Sequence, residues 1–268
     1  PRAMARSSLG VGVKTAGKVR DVYDLGDGRL LLVSTDRLSA FDRALCTVPF
    51  KGAVLTGVSA WWFERTRDIV ANHVISVPHP RAMLVRRCTP FAVEVVVRGY
   101  ITGSTATSLW THYAAGAREY CGHALPDGWI KHQQLTPPLL TPTTKDAHDR
   151  PISPAEVVAE GRMTQAQWDQ VAAAAMALFA RGQEVAAARG LLLVDTKYEF
   201  GVDDDGVVTL IDEVHTPDSS RYWVAATYAA RMAAGEDPDA MDKEFIRRWY
   251  KAHTDPYDTA TPLPAPPA

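Results

Sequence analysis

Apolar and polar positions follow two periods along this chain, one of strands and one of helices. From Val19 to Leu25 they alternate, Gly26-Asp27-Gly28 interrupts, and Leu30 to Thr35 runs apolar, which predicts a β-hairpin. Thr56 to Val70 places Val58, Trp61, Trp62, Arg65 and Ile69 near helical spacing and predicts a helix. Phe91 to Ile101 is rich in β-branched residues and predicts a long, largely buried strand. Between Leu135 and Pro154 the prolines at 137, 138, 142, 151 and 154 argue against any long regular element. Ser153-Pro154-Ala155-Glu156 then matches a capping box with Pro at the first helical position. Thr164 to Arg189 is the longest helical pattern, with Gly190 placed to end it. A second hairpin is predicted over Leu191 to Val214 and a last helix over Asp242 to Ala252. The proline-rich tail, 259–268, is expected to be unstructured or draped on the surface.

Strand-rich and helix-rich blocks in succession argue an α+β fold rather than a regular βαβ alternation. Length allows one large domain or two modest ones. The reading is two: a β-rich part over 1–97 and an α+β part over 98–258, with a nucleotide in the cleft between. The 268 residues are 46% hydrophobic, ample for a core, so Trp61, Trp62, Trp110 and Trp168 are expected inside it. With 29 Lys+Arg against 31 Asp+Glu there is no electrostatic push toward nucleic acid or an anionic membrane. Val171 to Ala180, the longest mainly apolar run, is half the roughly 20 residues that cross a bilayer. Residues 1–9 lack the apolar stretch of a secretory signal, and Cys46, Cys88 and Cys121 form no paired spacing. A reducing, cytoplasmic setting is the expectation. Oligomeric state is not legible, and a monomer is the default.

Candidate chemistry concentrates in the second hairpin. Asp195, Lys197 and Glu199 are spaced by two and share one strand face. If Asp205-Gly206 makes a two-residue turn, the register sets Glu199 opposite Asp212. Directly opposed carboxylates, with Cβ atoms roughly 4.5–5.5 Å apart, repel unless a divalent cation or a proton lies between them. Mg²⁺ with nucleotide phosphates would account for them, and Lys197 would supply a fixed charge; a solvated strand face is the plainer alternative. Gly17-Lys18-Val19-Arg20 sets a glycine before two alternating cations, suited to phosphate, though an ordinary exposed hairpin reads the same way. Neither a P-loop nor a dinucleotide fingerprint is present. Arg98 leaves the buried strand just before Gly99-Tyr100-Ile101-Thr102-Gly103-Ser104, where 103–104 are expected to open a helix whose N–H groups attract an anion. Ser34 to Asp42 and Thr144 to Asp149, with Lys145 and His148, are polar stretches that fit binding loops or simple turns. Asp218 and Arg221 pair an acid and a base after Pro217, where a helix cap is the alternative.

Six segments taken together resemble the SAICAR synthetase family: GKVRDVYD (17–24), STDRLSAFD (34–42), VEVVVRGYITGS (93–104), TKDAHD (144–149), LLLVDTKYEFG (191–201) and IDEVHTPDSSRYW (211–223). The resemblance implies an ATP-dependent ligase of purine biosynthesis. It would join L-aspartate to carboxyaminoimidazole ribonucleotide (CAIR) with ADP and phosphate released. It implies a fold whose first part is like a protein-kinase small lobe and whose second is like part of an ATP-grasp domain. By the same resemblance Gly17, Lys18, Val19, Arg20, Lys145 and Lys197 line the ATP phosphates, Glu94 passes the adenine, and Glu199 and Asp212 hold Mg²⁺. Arg98, Gly103, Ser104 and Arg221 bind the ribonucleotide's phosphate or carboxylate. Asp36, Arg37 and Ser39 contact CAIR or aspartate, and Asp36 and Asp218 are candidates for the base that takes the amine's proton. A kinase competes, since Glu199-Phe200-Gly201 echoes a DFG sequence, but no HRDxxxxN loop exists and the Gly-rich loop has one glycine. A non-catalytic nucleotide sensor also competes and needs no paired carboxylates.

Overall fold

The structure is a computed structural model and describes residues 3–41, 43–105, 107–146, 149–258 and 260–264. Asp42 and His148, singled out within the polar stretches, lie outside the described residues, as do Thr259 and 265–268 of the tail. The elements begin with β1 (Val13–Ala16), β2 (Arg20–Asp24), β3 (Arg29–Ser34), β4 (Arg37–Ala40), β5 (Arg43–Thr47) and α1 (Lys51–Arg65). Then come β6 (Ala71–Asn72), β7 (Val74–His79), β8 (Ala82–Arg86), β9 (Thr89–Tyr100), α2 (Leu109–Ala114), β10 (Glu119–Tyr120), β11 (His123–Ala124) and β12 (Gln134–Thr144). The chain continues through α3 (Pro154–Ala159), α4 (Gln165–Ala187), β13 (Leu191–Val202), β14 (Val208–Ile211), β15 (Ser220–Val224), α5 (Ala225–Ala233) and α6 (Glu244–His253). The chain divides into two compact units. One holds Pro1–Arg65, Asn72–Arg87 and Asp242–Ala268; the other holds Thr66–Ala71 and Cys88–Met241. Position 97/98 lies inside β9, and residues 242–258 return to the first unit.

The first unit is an antiparallel sheet in the order β1-β2-β3-β8-β7. The predicted hairpin is its centre, with Arg20 opposite Ser34 and Asp24 opposite Leu30. Helix α1 packs on this sheet and buries Leu55, Trp62 and Phe63. It starts five residues before the periodicity suggested, because Gly52 permits its first turn to lie against β3: a Cβ there would stand 2.3 Å from the Ser34 carbonyl oxygen. Trp61 is instead exposed, under the Arg65 guanidinium. Helix α6 is the predicted last helix, and its Ile246 and Tyr250 complete a cluster with Leu38, Ala40 and Leu45, onto which Leu263 packs. The tail is thus draped on this unit as far as the described residues go, with Arg43 donating to the Asp258 and Thr261 carbonyls.

The second unit is built on a sheet in the order β12-β9-β13-β14-β6, with β15 pairing β13. One face is sealed by α4, against which Val93, Val95, Val97, Leu193, Thr196, Tyr198 and Phe200 are buried. The predicted capping box forms at Ser153 with Glu156, and a second forms at Thr164 with Gln167. Gly190 follows α4 at φ 71°, the left-handed conformation that favours glycine after a helix. The expectation that prolines exclude a regular element over 135–154 fails, because β12 spans Gln134–Thr144. It is an edge strand with a register irregularity between Gln134 and Leu139, the setting in which a sheet tolerates residues without an N–H.

Candidate active site

The opposite face of the second unit's sheet carries charge. Strand register places Glu94 across from Glu199, Val96 across from Lys197 and Arg98 across from Asp195. Residues directly opposed share a face, so the polar row 195/197/199 and the pair Glu94 and Arg98 stand together. Lys197 Nζ lies 2.9 Å from Glu94 Oε1 and 2.6 Å from Glu199 Oε1, while Lys145 Nζ donates to the other oxygen of Glu199. Burial by itself favours the neutral amine of Lys197; the charges of Glu199, Glu94 and Asp212 outweigh it and hold the ammonium above the usual lysine range. Burial likewise works against the Glu199 carboxylate, and Lys197 and Lys145 reverse it, leaving Glu199 well below the ordinary range. The result is an ionised set of alternating charge on a half-sealed surface.

The register of the second hairpin is not the one expected. Val202 pairs with Val208 and Glu199 with Ile211, so the turn is five residues long and Asp212 is not opposite Glu199. Asp203 causes the difference. Its carboxylate accepts from the N–H groups of Asp205 and Val207, and its own N–H donates to the Val207 carbonyl, closing a wider loop than Asp205-Gly206 alone would make. Strand alternation in this register would send residue 212 to the helix side with Tyr198. Asp212 instead takes φ 67°, a conformation Asp tolerates, and its charge acts on Lys197. The opposed carboxylates are therefore Glu94 and Glu199, with Lys197 between them. Sequence gave no register between strands over a hundred residues apart.

A second charged group sits further along the same strands. Asp195 Oδ2 accepts from Arg221 Nη1 at 2.6 Å and lies 3.9 Å from Arg98 Nη1. Arg98 also donates to Thr141 Oγ1 and to the Thr107 carbonyl, which fixes its guanidinium in the buried layer. Two guanidinium groups against one carboxylate leave local positive charge. Gly103 adjoins them at φ 105°, where a Cβ would stand 2.4 Å from Ser108 Cβ and 3.6 Å from Arg221 Nη2. Residues 103–104 do not open a helix; α2 begins at Leu109 after Ser108. Arg98, Gly103 and Arg221 are nonetheless brought together, with Ser104 exposed next to Gly103. Thr141 and Thr107 were missed, since a threonine in an apolar or polar run carries no signal of its partner.

In the first unit the structure shows how the predicted residues are held. Asp36 is buried and accepts from Met4 N–H, Gly52 N–H and the Arg81 guanidinium. Burial opposes its charge, but these donors hold the carboxyl below its ordinary range, so Asp36 is a structural anchor and a poor base. Ser39 is buried, and its carbonyl accepts from Lys243 Nζ. Gly17 to Arg20 form the tight turn between β1 and β2, closed by Gly17 N–H to the Arg20 carbonyl at 2.8 Å. Arg37 faces that turn rather than open solvent: it donates to the carbonyls of Gly17, Lys18 and Ala5 and to Asp21. Asp218 lies in the turn 216–219 of the second unit, its N–H donating to Thr216 Oγ1.

Comparison with known proteins points to one family. The family model described as SAICAR synthetase matches residues 13–264. Over 258 residues the chain is 57% identical to the phosphoribosylaminoimidazole-succinocarboxamide synthase of Legionella pneumophila strain Lens, covering 96% of this chain and 82% of that protein. It is 54% identical to the chloroplastic synthase of Arabidopsis thaliana, over 97% of this chain and 63% of that one. Among solved structures, the SAICAR synthase of Saccharomyces cerevisiae in complex with SAICAR superimposes with a TM-score of 0.83 at 33% identity, covering 98% of this chain and 92% of that one.

Proposed function

The chain belongs to the SAICAR synthetase family, and from that premise we propose how its residues divide the work of the reaction. The enzyme is an ATP-dependent ligase of purine biosynthesis that joins L-aspartate to CAIR, giving SAICAR, ADP and phosphate. A carboxylate is a poor electrophile, so the γ-phosphoryl group first moves from ATP to the CAIR carboxylate and ADP is released. The aspartate amine then attacks the acyl carbon, phosphate departs with the former carboxylate oxygen, and the amine gives up a proton. Phosphoryl transfer of this kind needs mostly positioning and charge neutralisation.

One observation carries the assignment: an ammonium held among three carboxylates, with a second ammonium beside it, on the polar face of a sheet sealed on its other side. Lys197 and Lys145 are positioned to trade their carboxylate partners for phosphate oxygens, and Lys197 faces the transferring group. The carboxylates so released suit Mg²⁺, which takes one or two protein carboxylates and draws its other ligands from phosphates and water. Glu199 and Asp212 would hold the ion, which would neutralise charge on the triphosphate; Glu94 orients Lys197 and borders the nucleotide. In the first unit Gly17, Lys18, Val19 and Arg20 are assigned to phosphate. Arg98, Gly103, Ser104 and Arg221 are assigned to the phosphate or carboxylate of the ribonucleotide, and Asp218 is the remaining candidate for the base. No helix among the described residues is long and apolar enough to cross a membrane. The site of action we assign is the cytoplasm, the reducing setting that the isolated spacing of Cys46, Cys88 and Cys121 suits.

The test is ADP release with CAIR, with and without L-aspartate, in the parent enzyme and in Glu199→Gln and Asp212→Asn. Both variants are expected to fold and to lose turnover. Near-normal rates in both would overturn the metal assignment, and ADP formed on proteins or sugars but not on CAIR would favour the kinase.

A further inference from the structure

We infer that Arg37 is a positioning residue for nucleotide: it holds the 17–20 turn with its amide groups presented for phosphate, rather than touching CAIR or aspartate. This rests on the assignment of that turn to ATP phosphate.

Each carbonyl of the turn is committed. The Gly17 carbonyl accepts from Arg37 Nη2 at 2.8 Å, and the Lys18 carbonyl accepts from Arg37 Nε at 3.0 Å. The Val19 carbonyl accepts from both the N–H and the hydroxyl of Thr35, and the Arg20 carbonyl accepts from Gly17 N–H. In a trans peptide the C=O and the following N–H point in opposite directions. Tying the Gly17 and Lys18 carbonyls to Arg37 therefore turns the N–H groups of Lys18 and Val19 away from Arg37. Successive N–H groups displayed by such a turn form an anion-binding concavity. The glycine is required: a Cβ at Gly17 would stand 2.9 Å from the Arg20 carbonyl oxygen.

The guanidinium is itself held. Its Nη2 is 3.0 Å from Asp21 Oδ1, and Nη1 donates to the Ala5 carbonyl. Asp21 is fully buried, and its other oxygen accepts from the N–H and hydroxyl of Ser7. A planar fork with five donors can serve two turn carbonyls, a strand carboxylate and the Ala5 carbonyl together; a lysine ammonium, a single point of charge with three donors, cannot span them. Arg37 thus has four of its five N–H donors engaged inside the protein, which is the geometry of a brace and not of a substrate ligand.

The experiment compares Lys18→Ala, Arg37→Lys and the double variant. It reads the dissociation constant for ATP and the KM values for ATP, CAIR and L-aspartate, with thermal unfolding alongside. Arg37→Lys is chosen over Arg37→Ala because it keeps a positive charge opposite buried Asp21 and so protects folding. The expected result is ATP binding weakened about tenfold, a change of one or two charge-assisted hydrogen bonds. CAIR and aspartate KM values are expected to stay at the parent level, and the double variant to bind ATP more weakly than Lys18→Ala alone, because Arg37 holds backbone groups that Lys18→Ala leaves in place. An unchanged ATP affinity in Arg37→Lys, with Lys18→Ala weakened, overturns the brace while leaving the phosphate turn in place. Unchanged affinity in Lys18→Ala overturns the assignment of the turn itself. A rise in CAIR or aspartate KM in Arg37→Lys overturns the brace in favour of direct substrate contact.

Discussion

At the scale of single residues, two positions separate a structural role from a chemical one. Asp36 was a candidate base on the strength of its motif, yet it is buried and satisfied by two backbone N–H groups and a guanidinium. Asp36→Asn keeps the shape but leaves Arg81 facing a neutral amide, and breaking such a buried pair costs about 3–5 kcal/mol. The expected outcome is a large fall in the urea midpoint with kcat per folded molecule retained; a stable protein with kcat abolished would restore Asp36 as the base. Gly182, in the middle of α4, is the second position. Alanine is favoured over glycine there by about 1 kcal/mol on helix propensity alone. Yet a Cβ at 182 would lie 2.5 Å from His215 Cε1 and 2.6 Å from Leu193 Cδ2. The imidazole cannot retreat freely, because Tyr198 Oη is 2.5 Å from its Nε2. Overpacking of this kind costs about 1–3 kcal/mol, so Gly182→Ala is expected to destabilise, and a raised unfolding midpoint would contradict the tight contact.

At the scale of elements, the capping boxes offer a direct test of what the sequence encodes. Thr164 Oγ1 accepts from Gln167 N–H and Gln167 answers with its side chain to Thr164 N–H. Thr164→Ala is expected to cost about 1 kcal/mol, read from the denaturant midpoint, with turnover unchanged. Such local signals were legible: the Ser153 cap, the β2–β3 hairpin, the long β9 strand and α4 each follow from residues within a few positions of one another. The failures share a different cause. Pro137, Pro138 and Pro142 look prohibitive until β12 is known to be an edge strand, which depends on its partner β9 some forty residues away. The β13–β14 register turned on one side chain, Asp203, capturing two backbone N–H groups. The site itself was legible as residues and not as pairs. Glu94, Lys197, Glu199 and Asp212 were all named, but the bridging of Glu94 to Glu199 by Lys197 needs the β9–β13 pairing, and Asp212 needs its left-handed backbone to join them.

At the scale of the whole molecule, buried titratable groups set how stability depends on pH. His73 and His215 are buried, and burial lowers each to about 3; for His73 the Arg20 charge adds to the effect. Their unfolded value is 6.5, so the unfolded chain takes up protons first as pH falls. A folded value below the unfolded one means that stability is fully present above pH 6.5 and is lost progressively from there toward pH 3. Each histidine costs about 1 kcal/mol per pH unit in that window, and one lies in each compact unit. Asp21 and Asp36, both fully buried in the first unit, are also depressed, with burial opposing their charge and hydrogen-bond donors overriding it. Their contribution is intact above the unfolded value of 3.8 and disappears only as pH falls through the lower folded values. The two classes therefore act in separate ranges. Native-state hydrogen exchange, corrected for intrinsic rates, should show the slowest amides of both units losing about 2 kcal/mol of protection each between pH 7 and pH 5. Below pH 4 the first unit should lose protection more steeply as its two aspartates add to His73. Protection that stays flat from pH 7 to pH 5 would mean that these imidazoles find water or charge when the chain is folded, contrary to their burial.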